Sequence, residues 1–268
     1  MSSPEAHVPD GRLRVRPPRA RPPGRQRHVP ERWNVMSQLS ELFDFGPFFD
    51  NFDKIIEGFW ATVRLSVGAG VLSLIIGTIL VSFRVSPVPV LRSVGTVYVN
   101  VLRNTPLTLV LLMCALGLND TLALQFSDDP GTTYYWWAVI GLSAYTGAFV
   151  CEALRSGINT VPLGQAEAAR SIGLTFMQSL RMIILPQAFR TVIAPLGSIF
   201  IAMIKNTTVA AAASYAETAT VMKDLLDLPS FSSGAIPLFI GVAIGFMILT
   251  LPTGFFFGWL AKRMAVAR

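Results

Sequence analysis

The sequence predicts an all-α integral membrane protein with five transmembrane helices and a helical cytoplasmic loop between spans three and four. Three observations carry that reading. The 268-residue chain is 52% hydrophobic and only 14% charged, against roughly 25% charged residues in soluble domains. Its apolar residues gather into five runs, each long enough to cross about 30 Å of hydrocarbon. The loops that join those runs alternate in charge. A soluble fold of this length lacks the polar side chains to cover so much apolar surface, whereas in a bilayer the outer helix faces stay apolar and only the backbone must be satisfied internally.

The first 35 residues stand apart. They hold eight Arg and three acids, while the other 233 residues hold 14 basic and 13 acidic side chains. The formal net charge of +6 therefore belongs mainly to a short stretch, and the body offers no basic patch for nucleic acid. Residues 9–30 are dominated by Pro, Gly and Arg and lack a hydrophobic period. Such a segment buries too little to offset its ordering entropy and is expected to be a disordered Arg/Pro-rich tail. No apolar run follows it directly, as a secretion signal requires. Two readings stand: an arm for anionic lipid or regulation, or an appendage created by a start upstream of Met36, with residues 36–268 as the working domain.

Span one covers residues 59–81, with Arg64 near its start. Span two covers 94–118 and is interrupted by Arg103-Asn104-Thr105-Pro106. Span three covers 134–154. Span four covers 191–213 and is broken by Lys205-Asn206-Thr207-Thr208, and span five covers 236–260. The runs are too long and too evenly apolar for barrel strands. Arg84 and Arg92 lie between spans one and two, and Asp120, Asp128 and Asp129 between two and three. Arg155, Arg170, Arg181 and Arg190 lie between three and four, and Lys262, Arg263 and Arg268 follow span five. The excess of cations on cytoplasmic loops then places the C-terminus inside and the start of the body outside. Trp60, Trp136, Trp137 and Trp259 fall near span ends, as lipid-facing belt residues do. Gly68, Gly70 and Gly77 would let a second helix approach span one closely.

Residues 155–190 are longer than a simple connection needs. Gly164-Gln165 precedes a short helical pattern over residues 166–171, with Glu167 placed early to suit the helix dipole. Gly173 is the expected stop. A second amphipathic pattern covers 176–184 and is expected to end at Leu185-Pro186, because proline resists helix continuation. Two short helices hinged at a glycine make a compact knob whose small residues, Ala168, Ala169 and Gly173, suit close docking into a partner. A segment that merely packs on the membrane surface fits the same pattern.

Glu167-Ala168-Ala169, three residues, Gly173, nine residues, Ile183, one residue, Leu185-Pro186 reproduces a known spacing without a gap. It resembles the EAA loop of binding-protein-dependent ABC importer permeases, and the flanks are similar to those of the polar-amino-acid group. These flanks are Thr62 to Ser66, Leu102 to Leu107, Glu152 to Gln165 and Lys205 to Thr208. The resemblance covers residues 50–265. Arg84 to Val88, Arg103 to Val110 and Gly245 to Pro252 look most like the actinobacterial glutamate permeases.

The resemblance implies a permease subunit that translocates a polar amino acid, with glutamate first and glutamine, a basic amino acid or an opine as alternatives. It implies a second permease subunit, a cytoplasmic ATPase dimer docked on the EAA loops, and an extracytoplasmic amino-acid-binding protein. The ATPase-coupling residues would be Gly164, Gln165, Glu167, Ala168, Ala169, Gly173, Leu185 and Pro186. The chain itself carries no GxxxxGK[ST] phosphate loop, so no cofactor is expected in it, and ATP and Mg are expected in the partner ATPase.

Arg103 and Lys205 sit within apolar spans, where a charge costs about 2.5–3.5 kcal/mol or more. One reading has them guiding a substrate carboxylate, with Asn104, Thr105, Asn206, Thr207 and Thr208 adding neutral hydrogen bonds. Others are snorkelling to an interface or a structural pair such as Arg103 with Glu152. Both His lie in the tail, and Cys114 and Cys151 lie in apolar runs, so neither a metal nor a disulfide spacing is present. An enzyme would need a catalytic cluster at one depth, and a secondary carrier would favour an inverted repeat; neither pattern is found.

Overall fold

The computed structural model describes residues 43–231 and 235–264. The Arg/Pro-rich tail, Met36 and Arg268 lie outside the described residues. A short helix, α1 (Gly46–Asp50), leads into α2 (Phe52–Val85), which forms the first span. Its 34 residues reach about 51 Å at 1.5 Å per residue. That exceeds the hydrocarbon thickness, so its first turns, with Asp53, Lys54 and Glu57, stand clear. Ser86-Pro87 ends α2, and Pro89 opens α3 (Pro89–Arg103) at a position where its missing N–H costs nothing. Helix α4 (Leu107–Thr121) follows at a bend of 106°. Helix α5 (Pro130–Asn159) is the third span; it is capped by Asp129, whose carboxylate accepts from the Thr132 N–H at 2.7 Å.

Four described helices are long and apolar enough to cross a bilayer, and the bent pair α3–α4 makes a fifth span if counted as one. The interruption expected at Arg103 to Pro106 is thus a sharp turn, not a local loosening. Proline at 106 removes a donor and forces Thr105 out of the helical region. The break expected at Lys205 to Thr208 is different. Helix α7 (Phe176–Ala213) runs through it, tightening from α to 3₁₀ winding at Thr207. The Thr207 and Thr208 hydroxyls donate to the carbonyls of Ile204 and Lys205, at 2.8 and 2.9 Å, and so tighten the turn. Ser214, at φ 60°, ends it.

The same helix corrects a second expectation. Leu185-Pro186 does not stop the chain, because residues 180–184 wind as a π turn and α7 continues into the membrane. The wider turn makes room for the proline ring, and the Gln187 side chain donates to the Ile183 carbonyl at 3.0 Å.

The core is centred on α2 and α5. A Cβ on Gly77 would lie 2.5 Å from Val150, and one on Gly147 would lie 2.8 Å from Ile76. Glycine on each side therefore lets the two backbones close together. Val99, Leu111, Val192, Leu196 and Phe200 complete the cluster from neighbouring helices. The last span, α9 (Ile236–Met264), lies against α7, where Gly197 receives the Phe257 side chain. It leaves Ile244, Ile248, Phe255 and Trp259 exposed, as a lipid-facing helix does. Trp60, Trp136 and Trp259 are likewise exposed, but Trp137 is not. It packs on Phe126 and donates its indole N–H to the Leu124 carbonyl at 3.0 Å, so it is a core residue.

Opposite the knob, at the Asp129 end of the bundle, α8 (Thr218–Leu226) is fastened to α2. The Thr62 hydroxyl donates to Glu217 Oε2 at 3.2 Å and lies 2.8 Å from the Thr218 hydroxyl. Glu217 Oε1 caps the helix by accepting from the Ala219 N–H at 2.8 Å. The Glu217 side chain is fully buried, and burial pushes its carboxyl from 4.5 up to about 7 against those hydrogen bonds. The folded state thus binds more protons than the unfolded one between these two values. Stability is fully present below the lower value and is lost as pH climbs to the upper one. Thermal unfolding of the protein in nanodiscs is expected to show a midpoint that falls between pH 5 and pH 8. Glu217→Gln is expected to flatten that slope, which is worth at most about 3 kcal/mol. Parallel pH profiles for the two proteins would refute this assignment.

Candidate functional site

Two regions hold the residues singled out by sequence. The first is the knob at the end of the bundle opposite Asp129. Helix α6 (Leu163–Ser171) begins directly after Pro162, so Gly164 and Gln165 lie inside it, not before it. Glu167 is therefore mid-helix, beyond the first turn, and the expected dipole contact is absent. At the other end the Gly173 N–H donates to the Arg170 carbonyl at 2.9 Å and the Leu174 N–H to that of Ala169 at 3.1 Å. This paired closure needs a left-handed residue, and Gly173 supplies it at φ +83°. Thr175 then opens α7 with a reciprocal cap to Gln178.

Ala169 is buried, on a helix that packs against Phe176–Ile184, whereas Glu167 and Ala168 are exposed. Nothing lies within 4 Å of a Cβ placed on Gly164 or Gly173. Around them Leu163, Ile172, Met177 and Met182 are exposed, Leu163 by 81% and Ile172 by 75%. The knob thus presents exposed apolar side chains and open glycines interspersed with charge of both signs, Glu167 on one hand and Arg170 and Arg181 on the other.

The second region is the charged layer inside the bundle. Arg103 closes α3 at the 106° bend. Its Nη1 lies 3.7 Å from Glu152 Oε1, and its guanidinium stands over the Phe149 ring at 5.7 Å. Arg84, from the last turn of α2, hydrogen-bonds the same carboxylate oxygen. One carboxylate on α5 thereby serves two guanidiniums, and the trio keeps a net charge of +1. The Arg84 side chain is 8% exposed and that of Arg103 43%, so Arg103 is the more loosely held.

The neutral residues of this layer turn their donors onto their own helices. Asn104 Nδ2 donates to the Asn100 carbonyl at 2.7 Å and the Thr105 hydroxyl to Val101 at 2.8 Å. With Thr207 and Thr208 they reinforce the bend and the tightened turn, in part on carbonyls that a backbone N–H also meets, as the Asn104 N–H does at Asn100. Lys205 is exposed and makes no ion pair among the described residues. Asn206 is half-buried beside it. The tightened segment Thr207–Ala213 packs against the start of α4, so the two interrupted spans meet. Lys205 and Arg103 are not joined by a contact.

Sequence reasoning placed Arg84 in a loop and left Glu152 as one alternative partner for Arg103. The signal for the trio was Glu152 itself, a lone acid within an apolar span, which requires cationic company. Among the described residues no cluster of His, Cys, Asp or Glu is arranged to hold a metal ion.

Residues 69–266 match the family described as binding-protein-dependent transport system inner membrane component. The chain is 46% identical over 230 residues to the glutamate transport system permease protein GluC of Corynebacterium efficiens, covering 84% of this chain and 97% of that one. It is 35% identical over 217 residues to the probable glutamine ABC transporter permease protein GlnM of Bacillus subtilis, covering 81% and 95%. A crystal structure of an amino acid ABC transporter with histidines superposes with a TM-score of 0.68 at 26% identity, over 82% of this chain and 98% of that one. The four apolar helices, the bent pair and the knob after the third span are thus those of a known membrane component, and this chain belongs to the binding-protein-dependent transport system inner membrane component family, the permeases of ABC importers.

Proposed function

We propose that the chain is the permease subunit of an ATP-driven importer of polar amino acids, with glutamate as substrate. The observation that carries the substrate is the uneven trio of Arg84, Glu152 and Arg103. Its residual positive charge suits an anionic amino acid, and Arg103 is the member exposed enough to meet one. The identity to a glutamate permease over most of both chains supports the same choice. Lys205 adds a second cation where the interrupted spans meet.

The proposed assembly has the knob inside the cell. Two ATPase subunits dock on the knobs of a permease pair, and Glu167, Ala168 and Gly173 carry their closure into the spans through the unbroken α7. A binding protein delivers substrate at the Asp129 end. ATP and Mg belong to the ATPase, and the permease transmits the work.

Reconstitution with those partners tests the proposal through uptake of labelled glutamate, with glutamine, arginine and aspartate as competitors. Uptake that arginine outcompetes, or none at all beside active ATPase, would overturn it. Arg103→Gln is expected to raise the KM for glutamate about 10–100-fold, the equivalent of one charge-assisted hydrogen bond, while resting ATPase activity is kept. Wild-type uptake would remove Arg103 from the path. Gly173→Leu is expected to release the ATPase on co-purification, because it adds bulk to an open docking face and strains a left-handed residue. Gly173→Asn, which tolerates that backbone, is expected to retain part of the binding. Unchanged co-purification of the leucine variant would argue against the knob as the docking surface.

A further inference from the structure

A polar groove at the Asp129 end is absorbed neither by the knob nor by the charged layer. Two cavities of about 450 and 390 Å³ adjoin there and share Arg64 and Ala216 as lining residues. The first is bounded by Lys54, Glu57 and Asp224, the second by Asp129, Thr132, Tyr135 and Tyr215. Arg64 is exposed and makes no ion pair among the described residues, although acids stand on both sides of it.

The groove is built, not incidental. The Tyr135 hydroxyl donates to the Arg64 carbonyl at 3.4 Å, and its ring packs on Tyr215 with centroids 5.6 Å apart. Two residues before Arg64, Thr62 holds Glu217 and Thr218, which fixes the wall carrying Tyr215 and Ala216. Gly58 allows α8 to sit close, since a Cβ there would lie 3.2 Å from the Thr218 Cα. Asp129 accepts from the Thr132 N–H at 2.7 Å and is held as well by the Thr132 hydroxyl and the Gly131 N–H, which leaves part of the roughly four-site acceptor capacity of a carboxylate.

We infer that this groove is a first binding site for an α-amino acid with an acidic side chain, ahead of the charged layer. The inference rests on the importer reading above. Arg64 takes a substrate carboxylate, as a free guanidinium in a partly enclosed site does well. Asp129 takes the ammonium group. The Tyr215 hydroxyl, which lines the same cavity, supplies a neutral hydrogen bond to the remaining carboxylate. A groove with a cation on one wall and an anion on the other discriminates for a zwitterion, not for any anion.

The test uses the complex reconstituted in nanodiscs without the binding protein, with labelled glutamate and unlabelled glutarate, which lacks the ammonium group. Wild type is expected to bind glutamate and to prefer it over glutarate. Arg64→Gln is expected to weaken glutamate binding at least tenfold, with Arg64→Lys recovering most of it. Asp129→Asn, which still caps α5, is expected to bind both ligands alike. Unchanged binding by Arg64→Gln, with the complex intact by size-exclusion chromatography, would overturn the inference. So would a variant that binds free glutamate normally and loses only capture of the binding protein, because Arg64 would then be a docking cation. Failure of the importer reading is separate: the wild-type complex would then show no glutamate-dependent uptake with all partners present.

Discussion

Inside a bilayer no water is present to satisfy an open backbone group, and at three departures from regular helix the structure supplies a substitute. The bend at Pro106 is flanked by Asn104 and Thr105, whose side chains cap the carbonyls of Asn100 and Val101. The turn at Thr207 tightens because two hydroxyls return to the helix. Pro186 passes through a continuous helix because a π turn and the Gln187 amide absorb it. Polar residues in the spans thus serve the backbone first, and any role toward substrate is added to that duty.

The same constraint governs charge. Glu152 is half-buried on α5, the helix packed most closely against α2 through Gly77 and Gly147. A carboxylate there needs compensation. Arg84 comes from the far end of α2, and Arg103 from the bend between α3 and α4. The glycine contact brings α2 and α5 together, and the trio fixes where α3 must end. Packing and charge therefore specify one arrangement of the first three spans.

Sequence patterns were most informative where one local rule decided the outcome. Apolar run length located four long helices, Pro106 located the bend, and Gly173 located the closure of α6. They were least informative where two local rules competed. Pro186 argues for a stop, yet the apolar stripe across it argues for continuation, and packing decided for the stripe. Trp137 lies at a span end like Trp136, but only the folded loop at Leu124 makes it a core residue. In the sequence Glu217 is simply an acid in the connection after span four. Its burial depends on Thr62, 155 positions earlier in the chain, and no local pattern reports that distance. Arg64 was visible as a charge near the start of a span, but the groove around it needs three helices.

The cations differ in how much of their charge is already spent. Arg64 has no carboxylate partner, while Arg103 shares Glu152 with Arg84. An acidic amino acid carries one net negative charge, and a unit pair at 4 Å is worth about 4 kcal/mol near a protein surface. A free guanidinium offers most of that attraction, and one beside a carboxylate offers less. Substrate would therefore be gripped more firmly at the mouth than at the inner layer. That order favours capture from dilute solution and makes inward movement uphill between the two sites. Site affinities alone leave the net direction to the solute gradient, so accumulation against a gradient needs work from outside the path. Conformational work can reach the inner layer from the exposed knob along two continuous elements: α5, which carries Glu152 and ends at Asn159 just before α6, and α7, which begins at the knob and ends in the tightened turn beside α4.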